Sequence, residues 1–224
     1  MAFNVGAVIV CAGQGKRLGR DKAAIRLEGK PLFYHAYKLF KDIKEIKQIV
    51  IVLRRKNFSF ARTLIKDKRV SLVEGGVRRQ DSVFSGLSRL DKNIGYVLIH
   101  DGARPFTPKA VIAEMLKNVK RYPAVICAVK SRDTLKKVRG NFVKNTLNRN
   151  DLVMVQTPQV FKKKLIMDAY RKFNHKDTFD DAQLFEFMKK KVKIVNGSYF
   201  NIKITYPYDM ILANAIIKQK GARL

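Results

Sequence analysis

The stretch AVIVCAGQGKRLGRDK, residues 7–22, decides the fold of this chain, because an apolar strand runs directly into a loop rich in glycine and cations. The first five residues have the composition of a buried strand. The loop carries glycines at 13, 15 and 19 and positive side chains at 16, 17, 20 and 22. Glycines let backbone N–H groups approach a ligand closely, and the cations neutralise an anion. The stretch therefore predicts a polyphosphate site where the first strand ends.

The glycine spacing excludes two common phosphate loops. The dinucleotide fingerprint G-x-G-x-x-G needs its third glycine one residue before Gly19, and the string G-x-x-x-x-G-K-[ST] does not occur. The observed pattern is A-G-x-G-x-R-x-G, with Lys22 three residues further on. It resembles the signature loop of nucleotidyltransferases that attach a nucleotide to a sugar or polyol phosphate. The alternative interpretation is an ordinary glycine-rich turn with surface lysines.

Length and composition limit the class of protein. A chain of 224 residues with 46% hydrophobic residues predicts one α/β domain over residues 1–224. No apolar run approaches the ~20 residues of a membrane span, and the N-terminus does not read as a signal peptide. Cys11 and Cys127 both lie in apolar runs, which indicates reduced core cysteines and a cytoplasmic location. The three histidines and two cysteines form no metal-ligand pattern.

The net charge of +29 supports a second class of function, a basic nucleic-acid-binding protein. Such a protein would bind nucleic acid even at physiological salt, whereas a merely basic surface loses that binding as salt rises. The lysines are spread over the whole chain, and no RNP string, zinc finger or basic zipper region occurs. We therefore expect neither a specific nucleic-acid partner nor a membrane partner.

Apolar strand patterns alternate with helical patterns along most of the chain. This order predicts a Rossmann-like α/β fold, with a mostly parallel sheet covered by helices on both faces. The loops after the first, third and fourth strands should meet at the carboxyl edge of the sheet, where such folds bind ligands. Strands are predicted at residues 3–11, 48–53, 70–73, 96–99, 124–129, 192–195 and 199–204. Helices are predicted at residues 32–40, 58–65, 83–90, 111–119, 165–173 and 182–188 and from Pro207 onward.

Residues 131–155 break the alternation. Gly140-Asn141 is a two-residue hairpin signal between residues 134–139 and 142–146. The segment is too polar for a central pair of strands. It predicts a protruding β-arm at residues 131–155, after which residues 157–159 return the chain to the main body.

Six further strings in a fixed order extend the resemblance to nearly the whole chain. Together they resemble the 2-C-methyl-D-erythritol 4-phosphate cytidylyltransferase family, whose fold is of the nucleotide-diphospho-sugar transferase type. The specificity lies in the set and its order. The strings are VEGGVRRQDSV, VLIHDGARPF, AVKSRDTLKKV, RND…QTPQVF, DDAQLFE and NIKITYPYD.

The resemblance implies transfer of CMP from CTP to methylerythritol phosphate, with release of pyrophosphate and with Mg²⁺. The acceptor phosphate would attack the α-phosphorus in line, and Arg17 and Lys22 would stabilise the transition state. Arg149 and Lys203 would position the acceptor. The family also implies a homodimer, in which the arm pairs with that of a second subunit and Arg149 reaches the neighbouring site. For Arg149, one more solvated arm cation is the alternative.

The resemblance assigns the other site residues to two groups. Asp101 could bind either a ribose hydroxyl or Mg²⁺, or could simply form a turn before Gly102. A solvated cation and a helix cap are the alternatives for Arg79 and Ser82. The residues implied for CTP are Ala12, Gly13, Gly15, Gly76, Arg79, Ser82, Asp101 and Gly102. Those implied for the acceptor are Asp101, Arg104, Arg149, Thr157, Thr178 and Lys203.

Two departures from the family pattern affect these assignments. The usual Pro-Lys-Gln around the loop lysine is here Asp21-Lys22-Ala23. The usual Thr-Asp-Asp is here Phe179-Asp180-Asp181, so either Thr178 replaces the missing threonine after a one-residue adjustment or that contact with the acceptor is lost. The second departure leaves ribitol 5-phosphate as an alternative acceptor, although that sister family tends to have D-A-V-R-P and D-R-N-E-T at the corresponding places.

Overall fold

The first strand, β1 (Val5–Val10), lies inside a parallel sheet between β4 (Ile46–Leu53) and β6 (Tyr96–Asp101). The computed structural model describes residues 3–13 and 25–221. The other strands are β2 (Arg26–Leu27), β3 (Lys30–Pro31), β5 (Val70–Glu74), β7 (Ala124–Lys130), β8 (Lys136–Arg139), β9 (Phe142–Thr146), β10 (Val153–Lys162) and β11 (Val192–Asn196). The helices are α1 (Leu32–Phe40), α2 (Phe58–Leu64), α3 (Arg79–Ser88), α4 (Lys109–Asn118), α5 (Lys163–Phe173), α6 (Gln183–Phe187) and α7 (Pro207–Gly221).

Seven of the strands found in the described residues form one sheet in the order β11-β7-β10-β6-β1-β4-β5. All of them run in the same direction except β10, which is antiparallel to both neighbours. Helices α1, α2 and α4 pack on one face and α3, α5 and α6 on the other. Strand β4 shows why: Ile49 and Ile51 contribute to one core, whereas Val50 and Val52 contribute to the other. The predicted α/β fold with a mostly parallel sheet is confirmed. None of the helices in the described part of the chain is long and apolar enough to cross a membrane.

Strand β10 was missing from the sequence prediction. It lies between β6 and β7 and contains Gln156, Thr157 and Gln159, all buried. The pairing register with β7 shifts between Gln156 and Gln159, so Pro158 falls at an irregularity where no ladder N–H is needed. A polar segment interrupted by proline does not have the pattern of a central strand, although it forms one here.

The strand predicted at residues 199–204 is wrong. This segment has no strand pairing and is fixed instead by the side chain of Asn201, which is 1% exposed. Asn201 Nδ2 donates to the backbone oxygen of Thr157 at 2.9 Å, and its Oδ1 accepts from Thr107 Oγ1 at 3.0 Å. These contacts hold the segment across the end of the sheet, next to the site described below.

The predicted arm is a hairpin of β8 and β9, in which every residue is exposed. Gly140 has φ +57°, the left-handed conformation that glycine adopts readily in such a turn. The main sheet takes up the chain again at Val153, where β10 begins. The arm boundary of residues 131–155 is therefore corrected to 131–152, because residues 153–155 pair with β7.

Two glycines allow the ends of the strands to pack closely at the carboxyl edge. A Cβ at Gly75 would overlap the Cβ of Ala12 and approach Ser82 Oγ to 2.9 Å. A Cβ at Gly102 would lie 2.9 Å from the Cβ of Cys11. Because these loops touch, the loops after β1, β5 and β6 meet as the sequence predicts.

We predict that Gly75→Ala destabilises the protein by about 1–3 kcal/mol, the usual cost of overpacking a filled site. The matched control is Gly95→Ala, because a Cβ there has no atom within 4 Å. Urea denaturation of both variants measures the difference in the free energy of unfolding. Equal stability of Gly75→Ala and the wild type would contradict the close packing of these loops.

Candidate active site

A cavity of about 430 Å³ opens at the carboxyl edge of the sheet. Its walls come from β6 and the loop after it, from β10, from the N-terminus of α3, from α6 and the segment before it, and from the segment before α7. The described residues that line it are Arg79, Asp101, Arg104, Val155, Gln156, Thr157, Gln159, Phe179, Asp180, Gln183, Glu186 and Lys203. Charged and amide side chains dominate this lining, so the cavity suits a polar, charged ligand.

Asp101, the last residue of β6, is the central anion of this site. Its Oδ2 lies 2.6 Å from Lys203 Nζ and its Oδ1 lies 3.3 Å from Arg79 Nε. Burial alone would raise the pKa of this carboxyl group, but Arg79 and Lys203 outweigh burial and hold it well below its usual range. Asp101 therefore stays ionised and holds Lys203 and Arg79, which come from different segments of the chain, at the cavity.

Arg79 is held on its other side by Asp181, whose side chain is fully buried. The two guanidinium nitrogens NH1 and NH2 donate to Asp181 Oδ1 and Oδ2 at 3.1 and 2.8 Å, and Tyr170 donates its hydroxyl to the same carboxylate. Burial lowers the pKa of Arg79, but Asp181 and Asp101 raise it well above its ordinary value. A bidentate pair fixes a guanidinium in position as well as in charge. Arg79 is thus a rigid cation and not a solvated one.

Arg104 lies behind Asp101. Its NH1 donates to the backbone oxygen of Asn201 at 2.7 Å, and its buried Nε has no hydrogen-bond partner among the described residues. Burial lowers the pKa of this guanidinium.

Thr157 and His100 form a hydrogen-bonded chain beneath Asp101. The ring Nε2 of His100 lies 2.9 Å from the backbone oxygen of Arg104, which can only accept, so Nε2 carries the proton. Nδ1 then accepts from the hydroxyl of Thr157, and that hydroxyl in turn accepts from the backbone N–H of Asp101 at 3.0 Å. These hydrogen bonds orient Asp101, and they direct the hydroxyl of Thr157 into the protein.

The structure places five of the described residues predicted for the site in the lining of one cavity. Lys203, Arg104, Arg79, Asp101 and Thr157 line one cavity. Thr178 does not line it: its backbone N–H and hydroxyl are directed to Gln80 Oε1, and Phe179 occupies the rim instead. The replacement of the missing threonine by Thr178 is therefore not supported, because adjacent residues of this segment face different ways.

The predicted CTP loops lie at the same edge of the sheet. Ala12 and Gly13 follow β1, and Gly102 donates its N–H to the backbone oxygen of Val10 at 2.9 Å. The hydroxyl of Ser82 is buried and lies 3.4 Å from the backbone oxygen of Gly76, so it fastens the loop before α3 from within. The cap of α3 comes instead from the side chain of Asp81, which accepts from the backbone N–H of Arg78. Gly15, Arg17 and Lys22 lie outside the described residues.

Arg149 lies in a short 3₁₀ turn at the base of the arm (Arg149–Asp151), outside the lining of the cavity. It is exposed, and its NH1 donates to the backbone oxygen of Arg132 at 3.0 Å. The predicted contact between Arg149 and the acceptor therefore does not form within one subunit.

Asp101 does not fit the role of a protein ligand for Mg²⁺ in this arrangement. Both of its oxygens are engaged by cations, and the described residues contain no group of three histidines, cysteines or carboxylates suited to a metal. Mg²⁺ in nucleotide sites is commonly held by substrate phosphates and water with one or two carboxylates, so a dedicated cage of protein ligands is not needed.

Three residues important to the site were missed in the sequence analysis: Asp181, Gln159 and Asn201. Asp181 stands in the string DDAQLFE, and Asn201 opens the string NIKITYPYD. Their positions in these strings marked them as family residues, but nothing local to them shows that they hold Arg79 and Thr157 from about 45–100 residues away.

We predict that His100 makes the stability of the protein depend on pH. Burial lowers the pKa of His100 to about 4, from an unfolded value of 6.5. Between these values the unfolded chain binds a proton that the folded chain does not, so stability falls as the pH falls. Between pH 7 and pH 5 this amounts to about 2 kcal/mol. The variant His100→Gln should lose correspondingly less stability over that interval in urea denaturation, and identical losses would show that His100 titrates normally.

Comparison with known proteins agrees with this geometry. The sequence profile described as 2-C-methyl-D-erythritol 4-phosphate cytidylyltransferase matches residues 5–219. Proteins of that name from Dehalococcoides mccartyi and Bacillus mycoides are 44% and 37% identical, over 96% and 94% of this chain and 96% of each relative. The crystal structure of 4-diphosphocytidyl-2C-methyl-D-erythritol synthase from Anaerococcus prevotii superposes with a TM-score of 0.88, at 36% identity over 96% of both chains. The chain belongs to the 2-C-methyl-D-erythritol 4-phosphate cytidylyltransferase family.

Proposed function

We propose that this protein transfers the cytidylyl group of CTP to 2-C-methyl-D-erythritol 4-phosphate and releases pyrophosphate. An oxygen of the acceptor phosphate attacks the α-phosphorus of CTP, and the bond to the bridging oxygen of pyrophosphate breaks on the opposite side. No covalent enzyme intermediate and no protein base are needed, because the attacking phosphate is already an anion. Catalysis then consists of positioning and of stabilising developing charge.

The observation that carries the proposal is the set of cations around Asp101. Lys203 and Arg104 provide positive charge for an acceptor phosphate, and Arg79 adds a fixed guanidinium on the side of the loop before α3. A family name alone would not require these groups to share a cavity. Their convergence supports phosphate-to-phosphate chemistry at this place.

The described lining does not supply an excess of positive charge by itself. Its cations Arg79, Arg104 and Lys203 are matched in number by the carboxylates Asp101, Asp180 and Glu186. Binding two highly charged anions requires further cations. We infer that the loop with Arg17 and Lys22 supplies them beside the triphosphate.

We further propose that Mg²⁺ enters with the triphosphate oxygens, as is common for nucleotide substrates. When bound, the ion would neutralise charge on the phosphates. This chain orients the acceptor through Lys203 and Arg104 and holds Asp101 in its ionised state. A cytoplasmic location is likewise a proposal, which the two buried cysteines, Cys11 and Cys127, support.

We predict pyrophosphate release when the protein is incubated with CTP, Mg²⁺ and 2-C-methyl-D-erythritol 4-phosphate, and little release with ribitol 5-phosphate. Lys203→Met should lower kcat/KM about 100-fold, because a cation at the acceptor is lost. The matched control Lys92→Met removes an exposed lysine outside the cavity and should retain full activity. Preference for ribitol 5-phosphate would reject the proposed acceptor.

The active form is proposed to be a homodimer with composite sites. The arm extends exposed apolar side chains, among them Phe142 at 80% and Val143 at 62% exposure, which a second arm could cover. Arg149 at the base of the arm does not reach the cavity of its own subunit, so it is available to the neighbouring one.

We predict that Arg149→Ala and Lys203→Met, each of which alone retains about 1% of the activity or less, restore activity when the two subunits are mixed. The site of the Arg149→Ala subunit then keeps its own Lys203 and receives Arg149 from the partner subunit. Random 1:1 mixing should yield about a quarter of the wild-type activity, because half the dimers are mixed and each has one intact site. Absence of any recovery in a mixture proven to exchange subunits would contradict the composite site.

A further inference from the structure

One wall of the cavity is an irregular segment between α5 and α6, residues 174–181. Phe179 and Asp180 of this segment line the cavity, and Phe179 as a whole residue is 96% exposed. The segment pairs with no strand, so its position depends on individual hydrogen bonds. The residues that make those bonds decide where this wall stands.

Gln80, in the first turn of α3, makes most of the hydrogen bonds between α3 and the first part of this segment, residues 174–178. Its Nε2 donates to the backbone oxygens of Lys176 and Asn174 at 3.0 and 3.4 Å. Its Oε1 accepts from the backbone N–H of Thr178 at 3.2 Å and lies 3.5 Å from the hydroxyl of that residue. Gln80 is 8% exposed and does not line the cavity. The buried side-chain amide of Gln80 thus bonds both backbone N–H and backbone C=O groups of the segment.

Two other glutamines hold the continuation of the segment from the opposite side. Gln159, fully buried in β10, donates to Asp180 Oδ2 at 2.8 Å and accepts from the backbone N–H of Ala182. Gln183 accepts from the backbone N–H of Phe179 at 2.9 Å. Both of these glutamines belong to the lining of the cavity. Gln80 is therefore the member of the set whose influence must be indirect.

We propose that Gln80 is a positioning residue for the acceptor side of the reaction, an inference that rests on the proposed function. It fixes residues 174–178 to α3, whose first residue, Arg79, holds Asp101 and Asp181. The N-terminus of α3 therefore holds two things in place: the wall that carries Phe179, and the two cations that pair with Asp101. A pre-ordered wall reduces the ordering cost of acceptor binding.

The test compares Gln80→Met with Gln48→Met. Methionine has nearly the volume of glutamine but neither donates nor accepts strongly. Gln48 is a matched control, because it also bridges two segments, donating to the backbone oxygen of Arg89 and accepting from the N–H of Asp91, and it lies outside the cavity. We expect Gln80→Met to raise the KM for the acceptor about tenfold while the KM for CTP stays within about twofold. Gln48→Met should change neither KM.

Hydrogen exchange provides the second measurement. The amide of Thr178 donates to Gln80, so peptides covering residues 174–181 should exchange faster in Gln80→Met and at wild-type rates in Gln48→Met. If Gln80→Met does not fold, Gln80→Glu replaces it, since a carboxylate cannot donate to the two backbone oxygens and should raise the acceptor KM in the same way.

Three results would overturn the proposal: an unchanged acceptor KM, an equal rise in both KM values, or unchanged exchange over residues 174–181. A wild-type protein without activity on the acceptor would instead reject the proposed function, so the two failures are distinguishable.

Discussion

The site depends on the ion pairs that Asp101 makes with Lys203 and Arg79. The three residues come from β6, from the segment before α7 and from the first turn of α3, and only the folded sheet brings them together. Burying a carboxylate is unfavourable unless it is paired and hydrogen-bonded, and the carboxylate of Asp101 meets both conditions through Arg79 Nε and Lys203 Nζ. These two ion pairs therefore stabilise the packing of the three segments and, at the same time, place the cations at the cavity.

The surroundings of Asp101 form a rigid frame around these pairs. Asp181 holds Arg79 from behind, and Thr157 receives the N–H of Asp101 itself. Asn201 fixes the segment that leads to Lys203 by donating to the backbone of Thr157. Because these partners are buried, the cations need little reorganisation when a charged ligand arrives, which favours electrostatic stabilisation of a transition state. The cations and carboxylates of the described lining are equal in number, so this frame serves to orient ligands rather than to attract them by net charge.

The sequence could predict elements whose signals are local. The apolar run of β1, the start of α1 after Pro31 and the Gly140-Asn141 hairpin all follow from spacing and turn chemistry, and each is present. Strand β10 could not be predicted, because its polar residues and proline are tolerated only by a buried, irregular pairing with β7. The roles of Gln80 and Asp181 were equally hidden, since their partners are about 100 residues away in the chain. Resemblance to a family identified the site residues. The long-range hydrogen bonds that position those residues became visible only in the folded structure.

The most direct test of the central claim is the variant Asp101→Asn, with pyrophosphate binding measured by calorimetry beside turnover. If Asp101 serves to orient Lys203 and to compensate part of the charge of Arg79, its loss leaves Lys203 uncompensated and poorly oriented, whereas Arg79 keeps its pair with Asp181. We predict that pyrophosphate binds to the variant at least as tightly as to the wild type, while kcat falls at least about tenfold. Weaker binding of pyrophosphate together with unchanged kcat would contradict it.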